Sequence, residues 1–382
     1  MAKVDVNPNI LKWAVIRSGK SLIIEQSFPK IVEWIHGESK PTFKQLEKLA
    51  KATSTPFGYF FLDEPPEEHL LIPHYRTVSD EKISQPSPEL IDTLHTMEQR
   101  QEWMRDYLLD LGQLEKDFVG SVNVSENAIQ VAKKMREKLS LDKGWASECS
   151  TWEEALRLLR KKIEDIGILV IVNGIVGNNT HRKLDVNEFR GFVLVDKYAP
   201  LIFINGADGK AAQMFTLAHE LAHLWFGASA IFDLDNLLPA DDAIEQACNR
   251  TAAEFLVPEK DFIEAWNDLA IYDHPFQEGA RKFKVSELVI ARRALDTQLI
   301  STNTFFDFLQ SLREREKDKS NKSNGGNFYA NQTLRIGRHF AEAVISDAKE
   351  GKLLYRDAYR LTGLSGKNFN EFANRLEPWD GL

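Results

Sequence analysis

Cysteine is nearly missing from this chain: Cys149 and Cys248 are the only two among 382 residues. Two thiols cannot build a disulfide framework or a thiolate cage for a metal. Long apolar runs are missing as well. No stretch reaches the roughly 18 consecutive apolar residues of a bilayer-spanning helix, and the first residues lack the basic-then-apolar layout of a secretory leader. These absences predict a cytoplasmic protein with no membrane partner. Positive charge is in deficit, 48 Lys and Arg against 57 Asp and Glu, a net −9. That balance excludes a surface coated in basic patches but leaves room for one local nucleic-acid face. No repeat of fixed period recurs. What is left, 43% hydrophobic and 27% charged in a chain long enough for two or three domains, is ordinary globular composition.

Residues 1–64 read as a small helical module. Ile10, Leu11, Ala14 and Val15 form one helical stripe, and Ile31, Trp34 and Ile35 form a second that Gly37 stops. Thr42, after Pro41, caps a third helix that turns Leu46, Leu49 and Ala50 inward. Short helices joined by Gly-containing turns make this a helix-turn-helix-like module, a pattern that a plain helical bundle shares.

Residues 65–150 read as linker and long helices. The Pro-rich stretch from Asp63 to Ser87 has no helical or strand period. From Pro88 to Leu111, Leu90, Leu94, Met97, Met104 and Leu108 fit one long amphipathic helix, suited to spacing domains or to pairing two copies as a homodimer. Ser125–Leu139 predicts a further helix, and Thr151 with Glu154 opens another as a capping box running to Ile166.

Within 151–313 the period changes. Ile168–Val172, Phe189–Val195 and Leu201–Ile204 predict a small three-stranded sheet, followed by a helix over Lys210–Phe226 and more helices beyond Pro258 to about Arg313. Helices beside a small sheet are an α+β domain. Residues 314–326, charged and rich in Ser, Asn and Gly, read as a flexible linker, and 327–382 as a small helical C-terminal module.

One motif carries chemistry. His219-Glu220-Leu221-Ala222-His223 lies in an apolar helical setting, with Phe215-Thr216-Leu217-Ala218 before it and Leu224-Trp225-Phe226 after it. Residues four apart share a helix face, so both imidazoles reach a single ion at about 2.0–2.1 Å. Glu220 points beside that ion, where it holds a water and takes its proton. The bland competitor is a pair of buried structural histidines.

A catalytic zinc wants a third protein ligand and one open position. Glu245, 22 residues after His223, is a candidate on a helix face continued by Asn249, Ala252 and Ala253, small or polar residues that let two helices approach. Glu254 and the aspartates Asp233, Asp235, Asp241 and Asp242 compete for the role. The pattern places those aspartates in a solvated loop and Glu254 toward solvent. Cys248, one residue off the Glu245 face, reads as a small buried apolar residue. For the electrophile that a developing oxyanion needs, His181 and Arg190 near the strands are weak candidates, each also readable as structural.

The runs Asn187-Glu188-Phe189-Arg190-Gly191-Phe192, Pro200 to Asn205, Phe215 to His223 and Glu245 to Pro258 together resemble the ImmA/IrrE family of regulatory metallopeptidases. The resemblance covers about 150–300. It implies a thermolysin-like Zn²⁺ site with His219, His223 and Glu245 as ligands and Glu220 as general base. It also implies cleavage of a repressor-like or antitoxin-like regulator, the protein partner of such enzymes. Trp34 to Ala50, with the following Phe60-Phe61-Leu62 and Pro65-Pro66, is similar to the Cro/repressor-type helix-turn-helix that family members often carry. Between Arg17 and Trp34 the usual second helix is shortened, because Phe28 and Pro29 intrude. Residues 1–64 carry nine Lys and Arg against seven Asp and Glu, a net +2 that gives weak support for phosphate contact. The module is therefore open to DNA binding or to protein docking. Lys282 to Glu287, with Leu288, Ala291 and Leu295, resembles the helical subdomain that follows the core in this family, and Arg292 and Arg293 read as a solvated face of it. The rival to an enzyme is a DNA- or toxin-binding, antitoxin-like regulator with a silent or structural metal site.

Overall fold

Helix α1 (Pro8–Arg17) begins where the Asn7 side chain accepts the Asn9 N–H and Pro8 fills the first turn, a position whose N–H has no helical partner in any case. In the computed structural model, which describes residues 3–68, 86–232, 243–317 and 328–376, α1 is followed by α2 (Ser21–Ser27), α3 (Ile31–Ile35) and α4 (Phe43–Ala52). A 3₁₀ turn at Phe57–Phe61 closes the series. Phe28 and Pro29 separate α2, seven residues long, from α3, only five. Thr42 and Gln45 form a reciprocal capping box on α4. Ile10, Leu11, Trp34, Leu46, Leu49 and Phe60 are the buried centre of this unit, which takes in residues 3–68 and 86–95. The Asp63–Ser87 linker falls largely outside the described residues.

The long helix α5 (Pro88–Asp110) continues into the second unit, residues 96–376. There α6 (Ala128–Lys138) starts at Asn127 rather than Ser125, because the Asn127 side chain receives the Ile129 N–H. Helix α7 (Trp152–Asp165) is capped by Thr151, while Glu154 accepts the N–H of Ser150 instead of returning to the cap residue.

The sheet has four strands, one more than the sequence predicts: β1 (Leu169–Asn173), β2 (Gly191–Leu194), β3 (Leu201–Asn205) and β4 (Ala230–Phe232), in the order β1-β3-β2-β4. Three residues are too few to carry a period, and β4 exists through its pairing with β2, Gly191 opposite Phe232. β1 and β3 are parallel and the other pairs antiparallel. Every residue of β2 and β3 is buried, which is why both read as unbroken aliphatic runs. Phe192 stacks on Phe203 directly across the ladder, ring centroids 4.8 Å apart.

Helix α8 (Lys210–Phe226) packs against β2, β3 and α7, and Gln213 to Trp225 is buried without a break. Gly227 ends it in a left-handed conformation, its Cα close against Gly120. Helix α9 (Ala243–Leu256) returns along α8. Then come α10 (Glu259–Leu269), α11 (Pro275–Phe283), α12 (Glu287–Asp296) and α13 (Thr302–Lys317). Residues 314–317, assigned to a linker by composition, belong to α13: Arg315 pairs with Glu287 at 2.9 Å and holds the last turns on α12. The rest of that linker, 318–327, lies outside the described residues.

Helices α14 (Phe328–Ile336), α15 (Arg338–Lys349), α16 (Tyr355–Thr362) and α17 (Gly366–Arg375) complete the unit. Gly337 turns α14 into α15 beside Val170 and Ile171 of β1 at φ +87°, a backbone conformation that residues with a side chain rarely adopt. Buried Arg100 of α5 donates to the carbonyls of Leu361 at 2.9 Å and Arg335 at 2.8 Å. None of the described helices is long and apolar enough to cross a membrane.

Candidate metal centre

An apolar helix buried on all sides should hold no polar side chains, since each costs about 1–3 kcal/mol if left without a partner. α8 nevertheless carries Thr216, His219, Glu220 and His223, all 0% exposed. The helical spacing of His219 and His223 turns both rings to one side, with their Nε2 atoms 3.0 Å apart. The first turn of α9 brings Glu245 to the same point: Oε2 is 3.2 Å from His219 Nε2 and Oε1 3.3 Å from His223 Nε2. Small residues make this approach feasible, as Ala252 and Cys248 of α9 are fully buried at the contact.

These three side chains form a group that could hold a metal ion, one donor atom from each. Two ring nitrogens facing each other and a carboxylate leave more lone pairs than protons to share. Donors at tetrahedral corners about 2.0–2.1 Å from an ion stand about 3.3 Å from one another. The observed separations of 3.0, 3.2 and 3.3 Å are close to that value, so the residues fit a small cation with nitrogen and oxygen donors.

The electrostatics point the same way. Burial pushes the His219 imidazolium down, against the opposing pull of Glu245, and a neutral ring is the form that offers a lone pair. Burial alone would raise the Glu245 carboxyl, but hydrogen bonds and charge from the two imidazoles outweigh it and hold the group well below the ordinary carboxylate range. Glu220 is the opposite case. Burial, reinforced by the charge of Glu245, pushes its carboxyl well above the ordinary value, and neither of its oxygens has a hydrogen-bond partner among the described residues. Two carboxylates in one site with acidities driven apart make a division of roles between holding charge and moving protons.

Strand β2 closes the site from the sheet side. A Cβ at Gly191 would lie 2.7 Å from Thr216 Cγ2, 2.9 Å from the Phe203 carbonyl oxygen and 3.2 Å from Glu220 Oε1. Sequence reasoning placed Gly191 in a motif without giving it a purpose. Asn249, one turn after Glu245, acts on the His219 ring from the α9 side and favours its protonated form.

Other candidates fall elsewhere. Glu254 and Arg293 do not face solvent, as their sequence context suggests; both are buried and paired with each other. Glu254 Oε2 also accepts the Glu259 N–H at 3.1 Å, and Arg293 Nε donates to the Val257 carbonyl at 3.0 Å, so the pair locks the corner between α9 and α10. A signal existed: Glu254 continues the buried row of Ala247 and Thr251 at helical spacing. Arg292 does stay near the surface, bonded to Asp296 at 2.9 Å. Cys248 is buried as expected. His181 is exposed, and Arg190 pairs with Asp208 at 2.9 Å, so neither is gathered into the cluster. Asp233, Asp235, Asp241 and Asp242 lie outside the described residues.

Comparison with curated proteins and with solved structures finds no significant match. Residues 336–375, spanning α15 to α17, match the model of a domain of unknown function. Residues 163–295, from the end of α7 through α12 and including His219, Glu220, His223 and Glu245, match the model of peptidase family M78, the IrrE N-terminal-like domain, which points to a peptidase.

Proposed function

We propose that this chain is a regulatory zinc-dependent endopeptidase that hydrolyses a peptide bond in one specific protein, a repressor-like or antitoxin-like regulator. The observation that carries the reading is the convergence of His219, His223 and Glu245 beside a buried, unpartnered Glu220. In this reading the first three residues hold Zn²⁺ in the thermolysin-like manner. Bound there, the ion supplies Lewis-acid polarisation of the scissile carbonyl and acidifies water.

The chain's own part is proton handling and exclusion of bulk water. The Glu220 carboxylate takes the proton of the attacking water and passes it to the leaving amine, a role that suits a carboxyl whose hold on a proton is strengthened by burial and by the charge of Glu245. Complete burial of both histidines keeps that transfer away from solvent.

The partner reading rests on residues 3–68. Leu22 is 76% exposed and Ile23 61% on α2, beside exposed Ile16 on α1 and Val32 on α3. An apolar surface suits protein docking, while a five-residue α3 and a net charge of only +2 over residues 1–64, cancelled by Glu67 and Glu68, give little for DNA to bind. We therefore assign this module to substrate recruitment. The test is to incubate the full chain with repressor-like products of adjacent genes and map the fragments by mass spectrometry, with Glu220→Gln and chelator-treated protein as controls. Metal-loaded protein that binds such a partner and leaves it intact would instead support the non-catalytic, antitoxin-like regulator.

A further inference from the structure

Helix α7 buries Ala155, Leu156, Leu159 and Ile163 in the core, and its neighbouring face carries Arg157, Arg160 and Lys161. Spacings of three and four residues stack these cations on one side of the helix, where like charges repel. None of the three has a hydrogen bond or ion pair with any described residue. Arg160 is also partly buried, and loss of water pushes its guanidinium pKa below the ordinary value despite the opposing charge of Glu164. A desolvated guanidinium that makes no hydrogen bond or close ion pair with the neighbouring Glu164 is a cost that folding alone does not explain.

These cations line a cavity of about 480 Å³, closed on its far side by Arg338 and His339 of α15. Its acidic lining is Glu164 and Asp165, and Arg338 also bonds Glu342 at 2.9 Å through Nε. Four fixed cations against two carboxylates leave the cavity positive inside a chain of net charge −9. Glu164, Asp165 and His339 are also part of the wall of a second cavity of about 870 Å³, whose apolar lining includes Met104, Leu108, Ile166 and Ala343. That volume is typical of small-molecule sites. Neither cavity is lined by His219, Glu220, His223 or Glu245.

We propose that the basic cavity between α7 and α15 binds the phosphate group of a small organic phosphate whose apolar body occupies the adjoining cavity. Three guanidinium forks present paired N–H donors in the geometry that phosphate oxygens accept, which a carboxylate would fill less completely. The recess, with Arg160 half-buried in its wall and Arg338 across from it, admits a phosphoryl group on a small molecule. The ligand would sit against α7, which on its other side packs on α8, the helix that carries the histidines.

The test is calorimetric titration of the metal-loaded full chain, in phosphate-free buffer, with 1-naphthyl phosphate, 1-naphthol and inorganic phosphate. Naphthyl phosphate should bind at least tenfold more tightly than either of the other two. Arg160→Met should weaken it at least tenfold, and Arg157→Met, altering an exposed residue, should weaken it in a chain that keeps its fold. Glu164→Gln, which removes a carboxylate from the wall, should tighten it, a gain that misfolding cannot produce. His223→Ala should leave it unchanged. The proposal is overturned if naphthyl phosphate does not bind, if naphthol or inorganic phosphate binds equally well, if the Arg variants bind as the parent does, or if His223→Ala abolishes binding and so moves it to the metal centre.

Discussion

His219 and Glu245 are joined by a 3.2 Å contact between Nε2 and Oε2, although they lie on different helices and 26 positions apart. The second imidazole completes the triangle, and Glu220 stands beside it without bonding to any of the three. In the proposed reading, holding the ion and moving the proton fall to different side chains, and the two functions should separate on mutation. Glu220→Gln should keep one zinc per chain and lose about 10²–10⁴-fold in cleavage rate, the usual scale for a general base. His223→Ala should lose the metal. Elemental analysis of both purified variants, alongside a cleavage assay, checks this; loss of metal in Glu220→Gln would reverse the assigned roles.

Gly191 owes its identity to the same site. Placing β2 against α8 leaves no room for a methyl group between Thr216, the Phe203 carbonyl and Glu220. Gly191→Ala should therefore force strand and helix apart, costing about 1–3 kcal/mol as overpacking does. Urea unfolding measures that cost. Cleavage should fall while the chain still binds zinc, because the displaced group is Glu220 and not a ligand.

The buried pair Arg293–Glu254 predicts an effect on stability with no change in chemistry. Removing one partner leaves the other charged in an apolar surrounding, so Arg293→Leu should destabilise by about 3–5 kcal/mol. Adding Glu254→Leu should restore a large part of the loss, since the uncompensated charge is gone. Denaturant midpoints of the two variants decide the matter: a double variant no more stable than Arg293→Leu would mean that the pair matters only for shape.

The acidity of Glu164 fixes the sign of a pH effect. Burial raises its carboxyl above the ordinary value of 4.5, and the charges of Arg160, His339 and Arg338 only partly oppose this. A group held more tightly by its proton in the folded state opposes folding once that proton leaves. Its penalty is absent below about pH 4 and grows as pH rises through the folded-state value. Glu164→Gln stays neutral, so its melting temperature in phosphate-free buffer should match the parent at pH 4 and exceed it increasingly toward pH 7. A difference that shrinks with rising pH would mean that the three cations, and not burial, dominate.

Much of this was legible in the chain because local chemistry marked it. The capping residues Thr42 and Thr151, the buried runs of β1 to β3 and the span of α8 all follow from a few adjacent side chains. The spacing of His219 and His223 is itself a geometric statement about one helix face. What stayed hidden depends on partners distant in sequence. Strand β4 is three residues held by β2, the burial of Glu254 depends on Arg293 39 positions later, and the fit of Gly191 against Glu220 needs both sheet and helix in place. The cations of α7 look like a solvated stripe until Arg338 and His339 of α15 are placed across the cavity from them.

The recruitment role proposed for residues 3–68 yields the prediction most directly tied to function. A peptidase confined to one protein can draw binding energy from surfaces far from the scissile bond, so its cleft need not hold short or generic peptides well. Leu22 and Ile23 lie on the exposed side of α2, whereas Ile24 next to them is buried. Leu22→Glu combined with Ile23→Glu therefore changes the surface while sparing the core, and zinc content and melting temperature should stay near those of the parent. Cleavage of the repressor-like partner should drop at least tenfold, through KM more than kcat, because the lost contacts are made equally in the ground and transition states. Casein, which has no use for that surface, should be cut slowly and at the same rate by both proteins. Partner cleavage unchanged by the two glutamates would remove residues 3–68 from substrate selection, and rapid casein digestion by the parent would make this a general protease and not a regulatory one.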